Sequence, residues 1–192
     1  GATSKFAWPE SGKEPRIVFH NSDNPDSFVV REEGGDFGGI FAGPNAGMHG
    51  EFKHAVILDP DKVMTHYDFK HEVDYDTYLE AMRKELPSIS DEEAEFLWDY
   101  IAEDKHSISL DEDMDEAGFS YSRLFRGYPL RDSPEYVIQR LRGKVAQAAG
   151  YAAAEMKDET GVSVLVGPGP KTYPLQDGEG FNEAEARIYQ EW

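Results

Sequence analysis

Between Gly143 and Val166 the chain reads GKVAQAAGYAAAEMKDETGVSVLV, and few folds accommodate that order. A helical pattern ends at Gly150. Small and apolar residues from Ala152 to Met156 then lead into Asp158 and Glu159. Thr160-Gly161 turns the chain, and Val162, Val164 and Val166 alternate in sidedness. Alternation at period two about a glycine-containing turn predicts a β-hairpin. Carboxylates are expensive to bury, so acids at the end of an apolar strand belong at a rim that water or a ligand reaches. Asp158 and Glu159 are therefore candidate functional acids, although the pair taken alone reads more readily as a polar hairpin turn, where Asp is common.

The other strand signals lie at the two ends of the chain. Arg16-Ile17-Val18-Phe19-His20 is apolar and extended, and Asn21-Ser22-Asp23-Asn24-Pro25 turns it. Ser27 to Arg31 reads as a short extended piece. A glycine-rich loop then leads into Gly38-Gly39-Ile40-Phe41-Ala42-Gly43, and Phe52 to Leu58 is a strand stopped by Asp59-Pro60. The middle is helical. Tyr75, Tyr78, Leu79, Met82 and Leu86 recur at helical spacing, Ser90 with Glu93 makes a capping box, and Ser133-Pro134 opens a helix that Gly150 ends. Helices set between two strand-bearing ends predict an α+β domain rather than a run of βαβ units. The expected division is a lead-in over 1–15, one domain over 16–176 with a helical acidic insertion near 68–130, and a tail over 177–192 carrying a terminal helix.

Charge narrows the function classes. The 192 residues hold 38 acids against 19 Lys and Arg, a formal net charge of −19. Such a surface repels nucleic-acid phosphates and anionic membranes and attracts a basic protein. There is no cysteine, which excludes disulfides and thiolate metal sites and fits a reducing compartment. No apolar run of membrane-spanning length and no signal pattern occurs, so a cytoplasmic protein is expected. The six histidines form no His-Glu-x-x-His zinc pattern, and the acids from Asp111 to Glu116 lack the glycine of an EF-hand loop. No metal site is expected, and the acidic run reads as a solvated face.

Two further segments carry chemistry. An imidazole at the end of a strand, as at His20, can donate to a ribose hydroxyl beside the backbone amides of Asn21 and Ser22, or it can simply bond a loop carbonyl. The Gly38–Gly43 segment is neither a dinucleotide fingerprint nor a P-loop. Its glycines permit close backbone approach to a ligand, and Phe41 either presents a ring for stacking or fills a core.

Taken in order, Phe19-His20 with a small polar residue after it, the glycine loop into Ile40-Phe41, the strand ending in Leu58-Asp59, the helix ending in Gly150-Tyr151, and Met156-Lys157-Asp158-Glu159-Thr160-Gly161 resemble the small ADP-ribosyltransferase-like domains of phages and mobile elements, including the anti-CRISPR ADP-ribosyltransferases. The resemblance spans about residues 16 to 176 and is poorest in the helical middle. It implies split sheets around a cleft that holds NAD as substrate. His20, with Asn21 and Ser22, would meet the adenosine-side ribose. Phe41 and Gly39 would lie by the nicotinamide, with phenylalanine standing where many relatives carry tyrosine. Asp158 would be the catalytic acid and Glu159 its partner or substitute. A carboxylate there would stabilise the oxocarbenium-like ribose, by the logic of glycosidases. Arg31, Arg16 or Lys157 would offset the pyrophosphate charge. The implied target is a protein, such as a basic subunit of a CRISPR complex, with no direct nucleic-acid binding. Two rivals remain. One is a non-catalytic acidic mimic of nucleic acid that blocks a basic protein, and the other is a transferase fold kept only for binding.

Overall fold

The computed structural model describes residues 5–32, 35–45, 50–105, 107–158 and 161–192, with backbone only at 158, 161 and 162. Among these residues the strands form two sheets. The first has the order β1 (Arg16–Ser22), β3 (Phe52–Leu58), β7 (Thr172–Pro174) and is antiparallel throughout. The second has the order β2 (Ile40–Ala42), β6 (Gly161–Val166), β5 (Ala153–Asp158), β4 (Val63–Met64). Its β5–β6 pair is the predicted hairpin, and Asp158 lies opposite Gly161. The short β4 runs parallel to β5.

Alternation along the strands explains the layers. Val18, Val56 and Leu58 of the first sheet pack against Val164, Val166, Ala153 and Val63 of the second, in a core between the sheets. The opposite face of the first sheet, with Ile17, Phe19, Ala55 and Tyr173, is covered by Ala184 and Ile188 of α7 (Phe181–Glu191) and by Phe6. The opposite face of the second sheet, with Ala154, Met156 and Leu165, meets the helices. The result is the expected split-sheet α+β architecture, and it carries helical material on both outer faces.

The helices of the middle are α1 (His66–His71), α2 (Tyr75–Glu85), α3 (Asp91–Glu103), α4 (Leu110–Glu116), α5 (Tyr121–Leu124) and α6 (Pro134–Ala148). The Ser90–Glu93 capping box forms as read, with Ser90 Oγ accepting from the Glu93 amide and the Glu93 carboxylate accepting from the Ser90 amide. Ser133 differs from expectation. Its side chain makes no cap bond, and Pro134 alone fixes the first turn of α6. The acidic run is itself a helix, because Leu110 and Met114 stand four residues apart and are both fully buried. The acids between them face outwards or to the rim. No helix among the described residues is long and apolar enough to cross a membrane.

One glycine is required by the sheet itself. A Cβ at Gly39 would collide with the carbonyl of Val166, whose strand is held on both sides by Ile40 and Ala153. Backbone fixed in the middle of a sheet cannot yield as a side chain would. Gly39→Ala is expected to cost about 1–3 kcal/mol as overpacking, read as a lower urea midpoint with unchanged m-value.

Candidate active site

Among the described residues the backbones of the two sheets bond each other at Phe19 and Gly43. Phe19 donates its amide to the Gly43 carbonyl at 2.7 Å, and Gly43 donates back to Phe19 at 3.0 Å. One residue further along β1, His20 Nδ1 lies 2.7 Å from the Phe41 carbonyl of β2. A carbonyl only accepts, so Nδ1 carries the proton. Burial, the largest cause, holds His20 below its usual 6.5, and His54 nearby lowers it further. The ring is therefore neutral near pH 7 and its Nε2 is an acceptor. With its N–H given to Phe41, the imidazole bonds a backbone carbonyl, one of the two uses the sequence left open, and can only accept at Nε2.

The other expected residues lie in different surroundings. Asn21 and Ser22 continue β1 opposite Lys53 and Phe52. The Ser22 hydroxyl accepts from the Asn24 amide in the following turn. Gly39 is committed to the sheet, as above. The Phe41 ring is half-buried on the helical side of the second sheet, edge to face with Phe37 at 4.7 Å between centroids. It therefore packs on the opposite side of β2 from the core between the sheets. Arg31 is exposed. Arg16 is 3.0 Å from Glu155, and the Lys157 ammonium donates to the Glu103 carbonyl, so both of these cations have partners inside the fold. Glu159 lies outside the described residues. Asp158 ends β5. Gly43 lies beside Ser163, which pairs with Met156, two residues before Asp158. Two strand spacings and two residues' rise therefore separate the Asp158 backbone from Gly43 by roughly 12 Å.

Four side chains were not anticipated. His54 pairs opposite His20 across β1 and β3, has no exposed surface, and gives its Nε2 proton to the Asn24 carbonyl at 2.7 Å. Its Nδ1 is a buried acceptor without a partner among the described residues. The alternation His54, Val56, Leu58 was the signal that could have placed it on the inner face. Glu155 accepts from Arg16 and from the His66 amide, one bond to each oxygen. Arg142 is completely buried, and Asp104 nearly so. No local pattern in the sequence marks either.

Comparison with known proteins gives two findings. The profile of the family described as anti-CRISPR type I-F ADP-ribosyltransferase AcrIF11 matches residues 27–172. A solved structure described as the crystal structure of an anti-CRISPR protein superposes with a TM-score of 0.58, covering 85% of this chain and 98% of that one at 22% identity. At that identity the superposition establishes a common fold. No curated protein matches the chain.

The histidines give the fold a pH dependence of definite sign. Burial is the first cause holding His20, His54 and His66 below 6.5, with the Arg142 guanidinium a second cause at His66. The unfolded chain thus binds protons at a pH where the folded chain does not. Stability is complete above the unfolded value, falls as pH drops below about 6.5, and levels off below the folded values. Carboxylates such as Glu179, held low by Arg187, act only below their usual 4.5 and do not share this window. Urea midpoints measured between about pH 7.5 and about pH 5.5 are expected to fall, with a shallower slope in His54→Phe.

Proposed function

We infer the use of this site from one premise: the chain belongs to the anti-CRISPR type I-F ADP-ribosyltransferase family. It is therefore a transferase that takes ADP-ribose from NAD. The proposal concerns where NAD lies, which residues act on it and what is modified. NAD sits at the junction of β1 and β2. His20 Nε2 accepts from a ribose hydroxyl on the adenosine side, Asn21 and Ser22 line the same strand end, and exposed Arg31 faces the pyrophosphate. Asp158 stands by the ribose that carries nicotinamide, with Glu159 as its partner. What supports this is the His20–Phe41 bond at the Phe19–Gly43 junction, with the β5–β6 hairpin end roughly 12 Å away. A dinucleotide in an extended conformation bridges such a distance.

The chemistry follows from charge. When the C1′–N bond breaks, its electron pair leaves with the ring nitrogen and nicotinamide departs neutral. Positive charge then develops on the ribose, and a fixed carboxylate beside it lowers the barrier. The acceptor atom of the target bonds to C1′ and gives up a proton to a nearby carboxylate. Both oxygens of Glu155 are already bonded within the fold, which favours Asp158 for this work.

The target is a protein of the CRISPR machinery, met in the bacterial cytoplasm. A basic, nucleic-acid-handling subunit suits the surface, since residues 91–116 carry twelve acids against one lysine. That same concentration of acid is what favours the rival reading, a mimic of nucleic acid. Labelled NAD and candidate subunits separate the two. Transfer of label by the wild type, reduced about 10²-fold or more in Asp158→Ala, is the expected result. Salt-sensitive binding that is equal in wild type and Asp158→Ala, without nicotinamide release, would support the mimic.

A further inference from the structure

The hairpin that ends at Asp158 has an unusual edge. On one side β5 is paired with β6 along its whole length. On the other, β4 reaches only Ala153 and Ala154, so among the described residues positions 155 to 158 have no neighbouring strand there. Unpaired edge groups in the interior must find partners. Here two buried side chains supply them. Arg142 donates from Nε to the Glu155 carbonyl at 2.8 Å, and Asp104 Oδ2 accepts from the Lys157 amide at 2.6 Å. Residues 155 and 157 turn their backbone groups to the same side of the strand, as antiparallel geometry requires.

Both side chains are anchored elsewhere. The Arg142 guanidinium spends its remaining donors on the Ile101 and Ala102 carbonyls at the end of α3 and on His66 Nδ1 at the start of α1. Its face covers the Phe69 ring at 3.6 Å. Burial lowers it to about 10, with Asp104 and Glu155 acting against the shift, so it stays charged. Asp104 follows α3 in the left-handed region at φ 49°, and the Lys157 ammonium bonds the adjacent Glu103 carbonyl. The last turn of α3 thus grips β5 one residue before Asp158.

We propose that Asp104 and Arg142 are positioning residues for the transfer reaction: standing in for a missing strand along β5, they fix where Asp158 stands relative to bound NAD. This rests on the reading of Asp158 as the essential acid. A buried ion is a poor way to gain stability, because an apolar side chain of similar size commonly does as well. A directional clamp on strand position is what Arg142 and Asp104 add. Displacing a reacting group by about 1 Å can cost about 10²-fold in rate.

The test uses the full chain and reads kcat and KM for NAD separately, from nicotinamide release with a target subunit present. Asp104→Gly removes the carboxylate at a backbone conformation that glycine adopts without strain, and Asp104→Asn keeps an oxygen for the Lys157 amide. The expected result is a fall in kcat of about 10²-fold in Asp104→Gly, with KM for NAD within about threefold of wild type. Rescue to within about fivefold is expected in Asp104→Asn. Arg142→Lys keeps a buried charge but loses the Nε contact, and is expected to lower kcat about tenfold with KM again steady. Wild-type kcat in folded Asp104→Gly and Arg142→Lys, while Asp158→Ala is inactive, overturns the proposal alone. Loss of kcat and NAD affinity in parallel with thermal stability, without rescue by asparagine, also overturns it and leaves a purely structural role. Full activity in Asp158→Ala removes the reading beneath the proposal, and the proposal with it.

Discussion

The paired hydrogen bonds between Phe19 and Gly43 are the join on which the fold depends. Phe19 belongs to the first sheet and packs its ring under α7, while Gly43 extends β2 of the second. Each sheet has its own hydrogen-bonded ladder and its own outer helical cover. The Phe19–Gly43 bridge sets how far the two stand apart and lets Val18 face Val164 and Val166. Burying those side chains favours closing the sheets on each other at about 25 cal/mol per Å² of apolar surface. That attraction is non-directional, so it does not choose a register. The bridge does, and the His20 bond to Phe41 lies one residue beyond it.

Charge is handled differently inside and outside. A net charge of −19 opposes compaction, and exposed pairs such as Arg83–Asp91 return little. Inside, the buried charges bond groups on other elements of the fold. Glu93 accepts from its cap amide and from Arg123. Arg142 reaches three separate segments. Breaking one partner of such a set would strand an ion in a low-dielectric interior, which costs far more than the bond itself is worth. The buried ions therefore act as registers between elements, while the surface acids are left available for a partner.

Much of this was legible in the sequence, and the limit is a physical one. Strands of six or seven residues show their alternation, so β1, β3 and the hairpin were readable from Ile17–His20, Phe52–Leu58 and Val162–Val166. Strands of two or three residues, β4 and β7, show none, because period two needs length to appear. The helix α4 hid behind its acids, since only Leu110 and Met114 mark its inner face. His20 was read two ways, and the structure shows the one in which a ring nitrogen bonds a backbone carbonyl, here that of Phe41. The Arg142 and Asp104 contacts could not be read at all. Their partners lie 13 to 76 residues away along the chain, and an isolated arginine or aspartate has the same local appearance on a surface as in a core.

The two ends of the proposed NAD site are held by different parts of the molecule. His20 is fixed by the first sheet and by β2. The hairpin carrying Asp158 is fixed by β6 on one edge and by the helices, through Arg142 and Asp104, on the other. A shift of the helices against the second sheet would therefore move the acid while leaving the histidine in place. NAD bound across the junction would feel such a shift at its nicotinamide-bearing ribose alone. The acids that the proposed target would meet are carried by those same helices, chiefly α3 and α4. Acid placement in that reading depends on the last turn of α3, which grips β5 through the Asp104 bond to the Lys157 amide.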